Sequence, residues 1–293
     1  MNEIRAAVID IGSNSIRYLS AAVTPQGVAA FAPKRLITTR LAEGILHTGC
    51  LQEAAMARSI AAILEFCTLA AEHGAQEIYA YATSAVRDAK NRDEFLALVR
   101  ESCNINVDVL SGEEEARLAF LGATGQFGGG LIDIGGGSAQ VVTPKLAQSF
   151  PIGCVRAKEL CEGLKPEEIS AAISGWLNQK TGDALAGYGI RERRWTGVGG
   201  TITTLGALQA GLTTYDSLRV NQETLTQEGV LSLYSSLLAM KKRREHPLLV
   251  DRHDIILFGA LILYELMVRL NIDMLHVSDA DGMEGYLLGR TPH

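Results

Sequence analysis

The chain has 293 residues, of which 47% are hydrophobic and 20% are charged, and its formal net charge is −6. This length predicts two domains, and the composition excludes a largely disordered protein. The negative charge argues against a general nucleic-acid binder, although backbone amides and arginines can still hold a polyanion locally on an acidic protein.

The N-terminal sequence MNEIRAAVID contains an acid and a base before any long apolar stretch, so we expect no secretion signal. The longest apolar stretch, 255–266, is shorter than the roughly 20 residues of a membrane span and is predicted as a buried helix. The five cysteines form no CxxC pair, which predicts reduced thiols rather than disulfides, zinc or an iron–sulfur cluster. We therefore expect a cytoplasmic protein without a membrane partner.

The first half begins with three predicted strands joined by tight turns, at 4–9, 16–23 and 27–36. Apolar residues at three-and-four spacing then predict a helix over 52–73. Strands and helices alternate after it, at 78–82 (strand), 92–103 (helix), 107–110 (strand) and 113–122 (helix, capped by Ser111). The last helix has a serine cap and early acids, as helix N-termini favour.

The second half repeats this order, with strands predicted at 130–134, 140–143 and 147–151. The elements predicted after them are helices at 155–163 and 166–186, a strand at 194–198 that leads into a helix, helices at 226–240 and 251–270, a strand at 274–278 and a final helix at 283–288. We therefore predict an α/β protein with two domains, 1–122 and 123–293, whose last helix packs back on the first domain.

One pattern occurs in both halves, as AVIDIGSNS at 7–15 and LIDIGGGS at 131–138. In each copy the acid ends a strand, and the turn can direct backbone N–H groups and a hydroxyl towards a phosphate. A carboxylate beside a phosphate would repel it unless a cation lay between them, and Mg²⁺ is commonly held by one or two carboxylates plus substrate phosphates. We therefore predict that Asp10 and Asp133 are Mg²⁺-side acids facing each other across a cleft. The predicted phosphate-binding residues of the two turns are Gly12, Ser13, Asn14, Ser15, Gly135, Gly136, Gly137 and Ser138. The alternative is that both are ordinary hairpin turns with capping acids.

Further motifs follow in a fixed order along nearly the whole chain: ATSAVRDAKN, SGEEEAR, PIGCVR, GVGGT, DRHDII and VSDADGMEG. Together with the two turns they resemble the exopolyphosphatase/guanosine pentaphosphate phosphohydrolase family of the actin-like ATPase superfamily. The resemblance implies two ribonuclease-H-like domains with an interdomain cleft, in which Mg²⁺ supports hydrolysis of a terminal phosphoanhydride. Polyphosphate or guanosine pentaphosphate is the implied substrate, and a homodimer is compatible with it.

The resemblance also implies roles for individual residues. Glu115 in SGEEEAR corresponds to the general base that orients and deprotonates the attacking water, with Glu114 as the second candidate. Acidic side chains at a helix N-terminus also interact favourably with the helix dipole, so these three acids could be present without any catalytic role. Arg87 corresponds to a phosphate-binding arginine, and its planar fork suits phosphate oxygens.

Weaker candidates for phosphate binding come from other motifs. Arg17 and Arg156 are two of these. In the wider superfamily a loop like Gly199, Gly200 and Thr201 cradles phosphates, although a glycine pair between strand and helix is more often a tight turn. The basic run 241–244 is interpreted either as a guide for a polyanion or as a solvated helix end.

Two positions depart from the family pattern. Gln140 stands where the family usually has an acid, and Met283 stands where it usually has an arginine. Gln140 removes a charge near the metal, and Met283 removes a phosphate contact. Gln140 leaves open an alternative in which the protein binds alarmones or polyphosphate without cleaving them. A sugar or acetate kinase of the same superfamily is the other alternative.

Overall fold

The computed structural model describes residues 3–24, 27–124, 129–185 and 194–290. The chain divides into two compact units: Met1–Gly122 with Gly282–His293, and Ala123–Asp281. Within these described ranges, each unit contains one six-stranded sheet. Helices follow the first strands in both units, so each is an α/β unit.

In the first unit the sheet has the order β3-β2-β1-β5-β6, with β4 also paired to β2. Its strands are β1 (Ile4–Ile11), β2 (Ser15–Thr24), β3 (Gly27–Ala30), β4 (Arg35–Thr38), β5 (Glu77–Ala82) and β6 (Asp108–Val109). Strands β1, β2 and β3 are antiparallel, whereas β1, β5 and β6 run parallel. The first acid-glycine motif, at the C-terminal end of β1, therefore lies beside the C-terminal end of the parallel strand β5.

The single strand predicted over 27–36 is wrong. The chain forms β3 and β4 instead, separated by residues 31–34, which include Pro33. Proline has no backbone N–H to donate to a sheet, so it interrupts the pairing. Both strands still pair with β2, β3 with its C-terminal half and β4 with its N-terminal half.

The helices of the first unit up to its boundary are α1 (Ile45–Thr48), α2 (Glu53–Glu72), α3 (Ser84–Asp88), α4 (Arg92–Cys103) and α5 (Gly112–Thr124). The short helices α1 and α3 were not predicted, because four or five residues carry too little periodicity to recognise. By length and apolar composition alone α2 could cross a membrane. It nevertheless buries Met56, Ile63 and Phe66 in this unit.

The second unit has the sheet order β11-β12-β10-β7-β8-β9. Its strands are β7 (Gly130–Ile134), β8 (Ala139–Val142), β9 (Ala147–Phe150), β10 (Trp195–Val198), β11 (Thr224–Thr226) and β12 (Met274–Val277). As in the first unit, three antiparallel strands come first, and β10 and β12 extend the sheet in parallel with β7.

The helices of the second unit are α6 (Cys154–Leu160), α7 (Pro166–Thr181), α8 (Gly199–Gln209), α9 (Ser217–Val220), α10 (Gln227–Ala239) and α11 (Ile256–Arg269). Residue 186, the predicted end of α7, lies outside the described residues. The helix predicted from 251 begins only at Ile256, because the preceding polar side chains make tertiary contacts. Lys158 Nζ, for example, donates to Asp254 Oδ2 at 2.7 Å.

The final helix, α12 (Gly282–Leu288), belongs to the first unit. Gly285 lies so close to the carbonyl of Leu118 on α5 that a Cβ atom could not be accommodated. Tyr286 donates to Asp108 at 2.6 Å, and Met283 is fully buried in the apolar core. Met283 therefore has a packing role in this fold.

Candidate active site

The first acid-glycine turn joins β1 to β2. Gly12 N donates to Ser15 O at 3.2 Å, and a Cβ on Gly12 would lie only 2.8 Å from that oxygen, so the tight turn requires glycine. The carbonyl of Asn14 accepts from Thr39 N at 3.1 Å and Arg40 N at 2.8 Å. The turn is therefore fixed by the segment that follows β4.

A hydroxyl pair connects this turn to the start of α3. Ser13 Oγ and Ser84 Oγ are 3.0 Å apart and both side chains are buried. Because α3 carries Arg87, the pair positions the predicted phosphate-binding turn and the predicted phosphate-binding arginine within one local framework.

Asp10 is buried at the end of β1, directly opposite Arg17 on β2. Arg17 donates to Asp10 Oδ2 through Nε at 2.8 Å and also through Nη2. Opposite residues of an antiparallel pair project from the same face, which brings both guanidinium nitrogens within reach of this one carboxylate oxygen. The guanidinium thus compensates the charge of Asp10 inside the hairpin.

Glu115 and Arg87 form an ion pair with side chains only 15% and 20% exposed. Arg87 Nη1 donates to Glu115 Oε2 at 2.9 Å and to Leu110 O at 3.0 Å. Burial raises the pKa of Glu115 above its ordinary value, and the charge of Arg87 opposes this only in part. A glutamate with a raised pKa accepts a proton more readily than an exposed one, which suits a general base.

The two neighbouring glutamates have different surroundings. Glu114 Oε2 accepts from Ser111 N at 2.8 Å, and Ser111 Oγ accepts from Glu114 N at 3.2 Å, which is a capping box. The hydrogen bond from Ser111 lowers the pKa of Glu114. Glu113 pairs with Arg117 on the exposed face of α5. The geometry therefore favours Glu115 over Glu114 as the base.

The second acid-glycine turn joins β7 to β8 in the other unit. Gly135 N donates to Ser138 O at 2.9 Å, the same closure as in the first turn. Val155 N, at the start of α6, donates to Gly136 O at 2.8 Å. Gly153 packs so closely against Gly136 that a side chain would not fit. The PIGCVR motif therefore packs against this turn and helps to fix its conformation.

Asp133 lies beside the first residue of α8. Gly199 has φ +87°, and a Cβ there would lie 3.0 Å from Ile134 O and closer still to Asp133 Oδ1. Only glycine fits this position, for steric and conformational reasons together. The GVGGT motif thus brings the start of α8 against the predicted metal-side acid.

Arg252 reaches the same helix start and was not predicted as a site residue. Its Nη1 donates to Gly200 O, and a Cβ on Gly200 would collide with the guanidinium. The thiol of Cys154 is buried nearby, and burial raises its pKa to about 11, while the Arg252 charge and a Thr201 hydrogen bond oppose the increase. A guanidinium at a glycine-rich helix start suits a phosphate oxygen.

The residues fit Mg²⁺ in part. Among the described residues, no group of three or more His, Cys, Asp and Glu side chains could hold a metal ion. Magnesium needs fewer protein ligands, because substrate phosphates and water complete its shell. Asp133 has the right chemistry, since it is a carboxylate beside a glycine-rich helix start, where Gly199 leaves space for its side chain. At Asp10 the ion would compete with Arg17.

A family model described as the Ppx/GppA phosphatase family matches residues 25–293. The chain belongs to the Ppx/GppA phosphatase family. Within it, the chain is 32% identical over 312 residues to exopolyphosphatase 2 of Mycobacterium tuberculosis, covering 97% of this chain and 98% of that protein.

Solved structures agree with this assignment. A Ppx/GppA enzyme of Aquifex aeolicus is 29% identical, with a TM-score of 0.80 over 99% of this chain and 100% of that one. An exopolyphosphatase of Cytophaga hutchinsonii has the same fold at 22% identity, with a TM-score of 0.87 over 98% and 99% of the two chains. The predicted fold class, α/β with two ribonuclease-H-like domains, is confirmed. The predicted facing of Asp10 and Asp133 across an interdomain cleft stays a prediction.

The remaining candidates have structural contacts of their own. In the basic run, Arg243 donates to Leu237 O at 2.7 Å and to His253 O at 3.0 Å, so it closes the end of α10. This favours the helix-end interpretation for 241–244. The backbone N–H of Arg156 donates to Gly136 O at 3.4 Å, which places this residue at the second turn.

Proposed function

We propose that this protein hydrolyses the terminal phosphoanhydride bond of inorganic polyphosphate, of guanosine pentaphosphate or of both, and releases phosphate. The observation that carries the proposal is the largely buried side chain of Glu115, held by Arg87 in a chain of the Ppx/GppA phosphatase family. Phosphoryl transfer requires positioning, charge neutralisation and a group that aligns the nucleophile. The described residues supply each of these.

In the first unit, Glu115 orients the attacking water and accepts its proton. Arg87 keeps the carboxylate in place through Nη1, and because a guanidinium has five N–H donors, it can also hold an oxygen of the terminal phosphate. Residues Ser13 to Ser15 contribute backbone N–H groups and hydroxyls to the same phosphate, in a turn that the Gly12 N–H closes. The water and the phosphate that it attacks are thus positioned by elements tied together through Ser13 and Ser84.

In the second unit, the turn Gly135–Ser138 and the loop Gly199–Thr201 bind phosphate, with Arg252 as an additional cation. Asp133 is the acid of this unit that would hold Mg²⁺, as Asp10 is in the first unit. When bound, the ion supplies positive charge that offsets the negative charge of the phosphates.

The substrate assignment rests on the relatives. Exopolyphosphatase 2 of Mycobacterium tuberculosis aligns with nearly the full length of this chain, which supports polyphosphate. Guanosine pentaphosphate presents the same terminal bond and is the second substrate that we propose.

A second candidate function, binding without cleavage, is favoured by the neutral Gln140 opposite Asp133. Phosphate release from polyphosphate, guanosine pentaphosphate and ATP, measured in parallel with Mg²⁺ or with a chelator, separates the two. We expect Mg²⁺-dependent release from polyphosphate or guanosine pentaphosphate and little from ATP. Tight binding of polyphosphate without any release would favour the sensor and refute hydrolysis.

A further inference from the structure

A row of three polar side chains crosses the sheet of the second unit at the phosphate-binding turn. Asp133 on β7 is directly opposite Gln140 on β8, which is directly opposite Ser149 on β9. Directly opposite residues project from the same face of a sheet. The amide of Gln140, only 1% exposed, therefore lies between the predicted metal-side acid and a serine hydroxyl.

The hydrogen bonds of this amide have a defined direction. Gln140 Nε2 donates to Ser138 Oγ at 2.9 Å and to Ser149 Oγ at 3.1 Å. A serine hydroxyl has one hydrogen and two lone pairs. Because Ser138 Oγ accepts from the amide, its own hydrogen is directed away from Gln140.

Ser138 is the last residue of the turn that we propose as a phosphate site, and its side chain is buried. While the Ser138 hydroxyl accepts from the Gln140 amide, it can donate its own hydrogen to an oxygen of a phosphate bound at the turn. Consecutive hydrogen bonds of this kind strengthen one another. A carboxylate at position 140 would have the opposite effect, because it can only accept and would attract the hydroxyl hydrogen.

The first unit has a different residue at the corresponding position. There the residue directly opposite the acid is Arg17, which forms an ion pair with Asp10. In the second unit the residue opposite the acid is neutral. The two turns therefore share the acid, the glycine and the serine but differ in the residue two positions after the serine.

We propose that Gln140 is a positioning residue that orients the Ser138 hydroxyl as a hydrogen-bond donor to a substrate phosphate. This inference rests on the proposed phosphate site in the second unit. Gln140 acts through Ser138 and does not itself touch the reacting atoms.

A double-mutant cycle tests the proposal. Gln140→Met keeps the size of the side chain without adding charge, and we expect it to raise the KM for polyphosphate and to weaken calorimetrically measured binding of inorganic phosphate by about tenfold, the effect of one hydrogen bond. Ser138→Ala should have a similar effect. The double variant should resemble either single variant, because both remove the same interaction. Additive effects would overturn the proposal.

Two further variants make the result specific. Gln140→Glu can still bond to Ser138, but with the direction reversed, so it should raise KM at least as much as Gln140→Met. Ser149→Ala is the matched control: it also removes a hydroxyl bonded to Gln140, but outside the turn, and we expect less than about a twofold change in KM. Wild-type KM and phosphate binding in folded Gln140→Glu would refute the inference while leaving hydrolysis intact. The expected cycle in phosphate binding, without any turnover, would instead refute the proposed hydrolysis alone.

Discussion

Replacing Gly199 with alanine should disturb the Asp133 carboxylate more than the fold. A left-handed backbone costs a residue other than glycine about 1–2 kcal/mol, and Gly199 has φ +87°. The new Cβ would also lie well inside 3.0 Å of Asp133 Oδ1, whereas ordinary contacts begin at 3.4 Å. The carboxylate must therefore move by roughly 1 Å, and a displacement of this size near a reacting centre costs about 100-fold in rate.

Gly211→Ala provides a matched control in the same unit. Gly211 has φ +68°, and among the described residues nothing lies within 4 Å of a Cβ built there. The control thus has the same kind of backbone strain without the contact. We expect thermal unfolding to show a loss of stability in both variants, and phosphate-release kinetics to show a large loss of kcat only in Gly199→Ala. Wild-type kcat in Gly199→Ala, or an equal loss in the control, would show that the contact with Asp133 does not determine turnover.

Three further outcomes follow from the same geometry. Asp133→Asn should raise the Mg²⁺ concentration needed for activity because it removes a carboxylate from a hard-cation site, and Asp10→Asn should do so as well; metal titrations that overlay the wild type would contradict both roles. Since burial raises the pKa of Glu115, we expect kcat to fall on the acid side at a pH above the ordinary range of glutamate, as the base becomes protonated. Arg87→Met should move this limb of the pH–rate profile to still higher pH, because the charge of Arg87 lowers the pKa of Glu115; an unmoved limb would assign the titration to another group.

The sequence predicted the regular elements well where patterns are local. The two acid-glycine turns close with the same backbone hydrogen bond, from Gly12 to Ser15 and from Gly135 to Ser138, as their shared pattern suggests. Pro33 divides one predicted strand into two. Because proline lacks a backbone N–H, Pro33 indicates a break in the strand, but the apolar residues before it suggest one continuous strand.

The choice between Glu114 and Glu115 could also have been made from the sequence. Ser111 and Glu114 have the spacing of a capping box, in which the Glu114 side chain bonds to the backbone at the helix N-terminus. Glu115 has no part in this cap and is therefore the better candidate for the site. Arg252 could not be placed in this way, because 52 residues separate it from Gly200. Only the tertiary packing of the segment before α11 brings its guanidinium to the start of α8.

We propose that Glu115 directs a water molecule onto a terminal phosphoanhydride. The most direct test measures phosphate release from polyphosphate in heavy-oxygen water, with Glu115→Gln beside the matched variant Glu114→Gln. We expect one heavy oxygen atom from water in each phosphate released by the wild-type protein. We also expect a loss of rate of about 100-fold or more in Glu115→Gln, with polyphosphate binding retained and Glu114→Gln nearly unaffected. An unchanged rate in folded Glu115→Gln, or released phosphate without heavy oxygen, would show that Glu115 does not direct water onto the terminal phosphate.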